Sequence, residues 1–138
     1  YQVARIYGDL DDKISMREIM DKLISENTGR PLNRVEYANV YFKEFDEPEI
    51  ALSILEDMRL QFQQIEGMVK TRGFSKNVTK NKWARWQKAY PEVISSLIYI
   101  YRKKDMLADA ELVLSEWVDR NPSDENAKKI LNEVRSVE

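Results

Sequence analysis

One apolar stripe in the middle of the chain constrains the fold more than any other feature. Its members recur in steps of 3, 1, 3, 4, 3 and 4 residues, and they are Ala51, Ile54, Leu55, Met58, Phe62, Ile65 and Val69. This spacing keeps one face of an α-helix apolar for about five turns. The sequence therefore predicts a single long helix that follows the turn at Asp46-Glu47-Pro48 and ends at about Thr71.

Helical spacing also describes the segments before this stripe. Ser15 and Glu18 have the spacing of a helix capping box, and apolar residues after them recur at helical intervals as far as the turn at Asn27-Thr28-Gly29. A second helix is predicted from about Asn33 to Phe45. Residues 1–13 show no clear pattern.

After the stripe, a break at Arg72-Gly73-Phe74-Ser75 precedes another apolar run, which joins Trp83 to Tyr101 without a change of phase. Pro91 lies inside this run, and because proline has no backbone N–H, we expect it to kink or restart the helix. Two more helices are predicted at about 107–119 and 124–137. Since no alternating strand pattern persists, the sequence predicts an all-α domain of about seven helices.

Two segments of the chain repeat one pattern, whose second part begins nine positions after the last residue of the first part. The C-terminal copy consists of Ile94-x2-Leu97-Ile98-x2-Tyr101, Ala110-x3-Leu114 and Pro122. The N-terminal copy consists of Val35-x2-Ala38-Asn39-x2-Phe42 and Ala51-x3-Leu55. This spacing resembles that of the tetratricopeptide (TPR) repeat, in which each unit is a helical hairpin. Ile98 and Asn39 stand where the family has a small residue, so both copies depart from the family pattern.

The resemblance to TPR proteins implies antiparallel helical hairpins stacked as a short right-handed α-α superhelix. The expected divisions are a half-repeat at about 16–31, units at about 32–65 and 91–124, and a capping helix at 124–137. Ala51 and Ala110 are 59 residues apart, which exceeds the family repeat of about 34 residues by about 25. We expect the additional residues, about 66–90, to lengthen the central hairpin, with Trp83 and Trp86 packed in its core.

The same resemblance implies a non-enzymatic module that binds a peptide or a partner helix. In TPR proteins the first helices of successive repeats line a concave groove. The positions that would face this groove here are Glu36, Val40, Lys43, Ser95, Tyr99 and Arg102. Some members of the family clamp a C-terminal carboxylate with lysine and asparagine. The corresponding positions here hold Glu36, Val40, Ser95 and Tyr99, so that specialised mode is not expected.

The composition argues against catalysis. The chain has no histidine and no cysteine, which removes the commonest acid/base group at neutral pH, the Cys-His nucleophile and the usual zinc ligands. The acidic cluster Asp9, Asp11 and Asp12 lacks the glycine and glutamate of a calcium loop. We therefore expect no enzyme activity, no cofactor and no small-molecule substrate.

Charge is distributed unevenly along the chain. The net charge is -2, yet residues 66–90 carry seven basic side chains against Glu66, a local charge of +6 that leaves -8 for the rest. A candidate patch for an anionic partner consists of Lys80, Lys82, Arg85 and Lys88. Such a patch could bind RNA, an anionic membrane surface or an acidic protein. The other interpretation is that these side chains are the solvated outer face of the hairpin.

The start of the sequence leaves a further possibility open. The chain begins with Tyr1 rather than methionine, so we expect a fragment or a processed product of a longer protein. Leu10-Asp11-Asp12 before a helix and two degenerate repeats resemble the C-terminal region of some polytopic sugar-transferase-like proteins. This resemblance implies the tail of a larger, membrane-bound bacterial protein as an alternative. The sequence contains no apolar run of about 18 residues that would itself span a membrane, and it does not specify the compartment, the partner or the oligomeric state.

Overall fold

The structure is a computed structural model that describes residues 13–25 and 30–137. Within these ranges all regular secondary structure is helical. The helices are α1 (Lys13–Ser25), α2 (Pro31–Phe45), α3 (Pro48–Arg72), α4 (Lys80–Lys103), α5 (Leu107–Arg120) and α6 (Glu125–Val137). The prediction of an all-α protein is thus confirmed for the described residues. The expectations for Asp9, Asp11 and Asp12 and for the turn at 27–29 lie outside them.

One local expectation is wrong, and for another the structure excludes one of two alternatives. α1 already includes Lys13 and Ile14, so Ser15 lies inside the helix and does not cap its N-terminus. Pro91 does not restart a helix, because α4 continues through it. Pro91 is exposed, so the carbonyl of Gln87, which loses its N–H partner, lies on the solvent side where water can hydrogen-bond to it. The described residues form six helices, whereas the expectation of about seven refers to the whole chain.

Helices that follow one another in the chain pack as neighbours. α2 packs on α3, α3 on α4, α4 on α5 and α5 on α6, and α2 also contacts α4 directly. Ala38, Ala51 and Ala110 are fully buried in the core that these helices share. A small side chain at a helix contact lets the two helix axes approach closely, and larger neighbours then fill the remaining space.

α1 is attached to α2 by apolar and polar contacts. Met16 and Met20 are buried in the common core. Arg17 Nη1 donates a hydrogen bond to Glu47 Oε1 at 2.5 Å, and the Tyr41 hydroxyl donates to Asp21. Burial, together with the hydrogen bond to Asp21, raises the pKa of the Tyr41 hydroxyl far above its usual value, so this group remains a neutral donor at physiological pH.

The central hairpin is formed by the two longest of the described helices. α3 has 25 residues and α4 has 24, whereas α2 has only 15. The ring of Phe62 is stacked with those of Tyr90 (centroids 3.8 Å apart) and Trp83 (5.3 Å), and Trp86 is only 4% exposed. The interpretation that both tryptophans pack in the hairpin is confirmed, with Trp86 fully and Trp83 partly buried.

The loop that joins these two helices is held by its own contacts. α3 is followed by Gly73, whose φ of +74° is readily adopted only by glycine. The Ser75 N–H donates to the Val78 carbonyl at 2.9 Å, and the Val78 side chain is buried. Thr79 then caps α4, since its hydroxyl oxygen accepts from the Lys82 N–H at 3.1 Å. These contacts fix the direction in which α4 begins and hence the orientation of its first basic residues.

Candidate binding surfaces

The six residues predicted to line a groove lie in three adjoining depressions on one face. The first has a volume of about 250 Å³ and is lined on α2 by Glu36, Asn39, Val40, Lys43 and Glu44. The second, of about 380 Å³, lies between α2 and α4 and is lined by Asn39, Lys43, Ser95, Ser96 and Tyr99. The third, of about 350 Å³, lies between α4, α5 and α6 and includes Ser95, Tyr99 and Arg102. Because adjoining depressions share residues, they form one continuous hollow along α2, α4 and α6, named here the furrow.

Tyr99 stands at the junction of the second and third depressions. Its ring meets that of Phe42 on α2 edge to face, with centroids 6.0 Å apart and an angle of 87°. The ammonium groups of Lys43 and Lys103 lie 5.8 and 5.7 Å from its centroid. The side chain nevertheless remains 45% exposed. Tyr99 therefore contacts the neighbouring hairpin through Phe42 while keeping much of its surface available in the furrow.

The third depression has an apolar wall. Ile94 and Ile98 of α4 and Ala127 and Ile130 of α6 line it. Its end is fixed by Trp117, whose Nε1 donates to Asp124 Oδ2 at 2.9 Å. This hydrogen bond lowers the pKa of the Asp124 carboxyl below its usual value, so the carboxylate stays ionised at neutral pH. The depression thus offers a mostly apolar contact area with a defined polar boundary.

Each end of the furrow carries charged side chains of both signs, since Lys43 also lines the α2 end and Asp124 also lines the other end. Glu36 and Glu44 lie at the α2 end, and both are exposed. Arg102 lies at the other end, where it approaches Glu133 at 3.8 Å. Such an exposed pair contributes little to stability, so Arg102 can exchange this partner for another carboxylate. An elongated ligand would therefore meet charges of both signs at each end of the furrow.

The structure does not gather the four predicted residues of the basic patch at one place. Lys80, Lys82, Arg85 and Lys88 are all exposed, but only Lys82 and Arg85 line a common groove. The ammonium group of Lys80 lies 5.8 Å from the ring centroid of Phe74. Lys88 follows Arg85 by three residues and belongs to a different face of α4 from Lys82. The basic character of the hairpin is therefore divided between separate surfaces.

Lys82 and Arg85 face two further cations that the sequence interpretation missed. A groove of about 480 Å³ lies where α2 begins beside the hairpin of α3 and α4, and it is named here the basic groove. It is lined by Arg30, Pro31, Arg34, Gln61, Gln64, Ile65, Met68, Lys82, Arg85 and Trp86. The spacing of Arg30 and Arg34 by four residues on one helix face was a usable signal, but their distance in sequence from Lys82 and Arg85 concealed the shared site.

Arg34 is the most buried cation of the basic groove. It is 8% exposed, and its guanidinium donates to Gln61 Oε1 at 3.3 Å and to Asp57 Oδ2 at 3.4 Å. Burial lowers the pKa of Arg34, and the carboxylate of Asp57 opposes this effect. An arginine retains its proton at neutral pH even after such a decrease. Arg34 therefore contributes a fixed positive charge at the inner wall.

Among the described residues there is neither a cluster of acidic side chains placed as a metal site nor a helix suited to crossing a membrane. The described residues contain no group of three or more acidic residues placed to hold a metal ion together. In the same part of the chain, none of the helices combines the length and the apolar character needed to cross a membrane.

Comparison with known proteins adds no family assignment. No family model, curated protein or solved structure matches the chain. The functional interpretation therefore depends on the geometry of the furrow and of the basic groove.

Proposed function

We propose that this chain is a non-enzymatic protein-interaction module that binds a peptide segment or a partner helix in the furrow. In this proposal its helices stack as a TPR-like right-handed array, with α2 and α3 as one hairpin and α4 and α5 as the next. The direct contact between α2 and α4 supports this arrangement, since it is the contact made by the first helices of adjacent repeats. α6 then covers the open side of the second hairpin as a capping helix.

The single observation that carries the proposal is the position of Tyr99, which is packed on one side and exposed on the other. A tyrosine that is 45% exposed, yet held on one side by Phe42, loses little conformational freedom when a partner covers it. Rigid aromatic side chains in the middle of a concave surface are the residues that most often dominate binding energy. The adjoining apolar wall of Ile98 and Ile130 gives a bound side chain a place to be buried.

The charges of the furrow indicate the chemistry of the partner. Arg102 and Lys103 lie beside Tyr99 along α4, so they favour a partner segment in which an acidic residue follows an apolar one. Glu36 and Glu44 at the other end favour a basic residue in the same segment. An elongated peptide with an apolar centre and charged residues of both signs fits this pattern better than a uniformly charged polymer.

Selection of peptides from a random display library on the immobilised domain tests this proposal. The enriched peptides are synthesised with a fluorescent label, and their affinities are measured for the wild type, Tyr99→Ala and Leu60→Ala. Leu60 is the matched control because it is 51% exposed and lies on α3, outside the furrow. Thermal melting of each variant verifies that it is folded.

We expect Tyr99→Ala to weaken binding of the enriched peptides by roughly 1 to 3 kcal/mol, whereas Leu60→Ala leaves it unchanged. Failure to enrich any peptide would contradict the proposal. Equal affinities of wild type and folded Tyr99→Ala for the enriched peptides would place the binding surface elsewhere on the domain.

A further inference from the structure

The basic groove is an interaction surface separate from the furrow. We propose that it binds an acidic peptide segment of a partner protein, with one apolar side chain of that segment seated between Ile65 and Met68. In the described part of the chain, the residues that line the basic groove and those that line the furrow do not overlap. The proposal therefore goes beyond peptide binding at Tyr99 and stands independently of it.

The first support for this proposal is the positive charge of the basic groove, which no acidic lining residue neutralises. Among the described residues, Arg30, Arg34, Lys82 and Arg85 line the groove and no acidic residue does. Asp57 forms an ion pair with Arg34 and accepts a hydrogen bond from Gln61 Nε2 at 2.8 Å, and its carboxylate is itself largely exposed. No ion pair with any described residue is formed by Arg30, Lys82 or Arg85.

Four arginines elsewhere in the described chain are paired with glutamates, unlike Arg30 and Arg85 of the basic groove. Arg17, Arg59, Arg120 and Arg135 each pair with a glutamate on another helix or turn. The chain as a whole has a net charge of -2, so the positive charge of the groove is a local feature. A concave surface lined by charges of one sign concentrates the field and attracts ligands of the opposite sign.

The second support is that the four cations are held in place by rigid elements. Arg30 and Arg34 lie on the first turn of α2 and its cap, and Lys82 and Arg85 lie on the first turns of α4. Trp86 is buried beside Arg85, and the Thr79 cap fixes the start of α4. Side chains projecting from packed helices lose less freedom on binding than side chains on a loop, which favours association.

The floor of the groove favours a peptide over a nucleic acid. Single-stranded nucleic acids are bound by stacking bases on exposed aromatic rings, but the aromatic residue here, Trp86, is only 4% exposed. Met68 is 39% exposed, and its flexible thioether adapts to an apolar side chain of variable shape. The amides of Gln61 and Gln64 can both donate to and accept from the backbone of a peptide.

The probe for this proposal is a short fluorescein-labelled peptide in which one leucine stands among aspartates and glutamates. Its affinity for the intact domain is measured by anisotropy at low and at physiological ionic strength. The test variant is Lys82→Gln combined with Arg85→Gln. The matched control is Lys80→Gln combined with Lys88→Gln, which removes the same number of charges from the same helix but outside the basic groove.

We expect the groove variant to weaken binding at least about tenfold, because it removes charges that face the ligand directly. The matched control should weaken it by less than about twofold, since exposed charges away from the contact act mainly through the screened long-range field. Replacing the leucine of the peptide with serine should also weaken binding, whereas Tyr99→Ala should not affect it. The experiment therefore distinguishes a loss of peptide binding at Tyr99 in the furrow from a loss of binding in the basic groove.

Three outcomes would overturn the proposal. The first is no binding of the peptide at low ionic strength. The second is an equal loss of affinity in the two double variants, which would show that only net charge matters. The third is tighter binding of an oligouridylate of matching length with the same dependence on Lys82 and Arg85, which would make the groove a nucleic-acid site.

Discussion

The side-chain amide of Asn39 donates a hydrogen bond from Nδ2 to the hydroxyl oxygen of Ser96 at 3.1 Å, joining α2 to α4. The same nitrogen donates to the Val35 carbonyl at 3.1 Å. In the TPR-like arrangement proposed above, Asn39 would occupy a position at which that family has a small residue. Here the larger amide is accommodated because both of its N–H donors have hydrogen-bond partners. A partly buried amide whose hydrogen bonds are satisfied costs little folding free energy.

A double-mutant cycle measures this contact. Asn39→Ala and Ser96→Ala should each destabilise the domain, and their effects should be coupled by about 0.5 to 1.5 kcal/mol, the usual contribution of one hydrogen bond. Urea unfolding of the wild type, the two single variants and the double variant gives the coupling free energy. Strictly additive effects would show that the hydrogen bond does not stabilise the contact between α2 and α4.

Ala110 provides a test of the close packing of α5 in the core. Its side chain is fully buried, so Ala110→Leu should overpack the core and lower the free energy of unfolding by about 1 to 3 kcal/mol. Ala108 lies on the exposed side of the same helix, and Ala108→Leu is the matched control with an expected change of less than about 0.5 kcal/mol. Equal melting temperatures for the two variants would mean that Ala110 is not at a close helix contact.

Glu66 should make stability depend on pH in the acidic range. Arg120 Nη1 donates to Glu66 Oε1 at 2.7 Å, and its other terminal nitrogen donates to Oε2. These hydrogen bonds lower the pKa of the Glu66 carboxyl below its ordinary value of 4.5. Because the folded state resists protonation more than the unfolded state does, the stabilisation is present above about pH 4.5 and is lost as the pH falls through the lowered pKa.

The variant Glu66→Gln removes this titration. Its loss of unfolding free energy between neutral pH and about pH 3 should be smaller than that of the wild type. Glu92→Gln, which changes an exposed glutamate of α4, is the matched control and should retain the wild-type dependence. Identical pH profiles for all three proteins would show that the contact with Arg120 does not lower the pKa of Glu66.

The sequence predicts the helices well because their apolar residues recur at helical spacing. For α3 the sequence predicts an end at about Thr71, and the helix ends at Arg72. For α5 it predicts a helix from Leu107 to about Asp119, and the helix ends at Arg120. The errors occur where a local signal competes with packing. Pro91 has a breaking tendency, but the apolar phase on both sides of it keeps α4 continuous and in contact with its neighbours.

The candidate sites were less predictable than the helices. Glu36, Lys43, Ser95 and Tyr99 are assigned to one surface because the resemblance to TPR proteins implies that the first helices of both hairpins line one groove. The basic groove required knowledge of which distant segments meet. Arg34 is separated from Lys82 by 48 positions in sequence, and only the packing of α2 beside the α3–α4 hairpin brings them to one groove.

The most direct test of the central claim, that the furrow binds a peptide, is a map of backbone amide chemical shifts. An isotope-labelled domain is titrated with an unlabelled peptide enriched by selection on the wild-type protein. We predict that the largest changes occur within residues 36–44, 95–103 and 126–130, where α2, α4 and α6 line the furrow. Saturable binding with its largest changes confined to other surfaces, such as residues 48–72 of α3, would contradict the account.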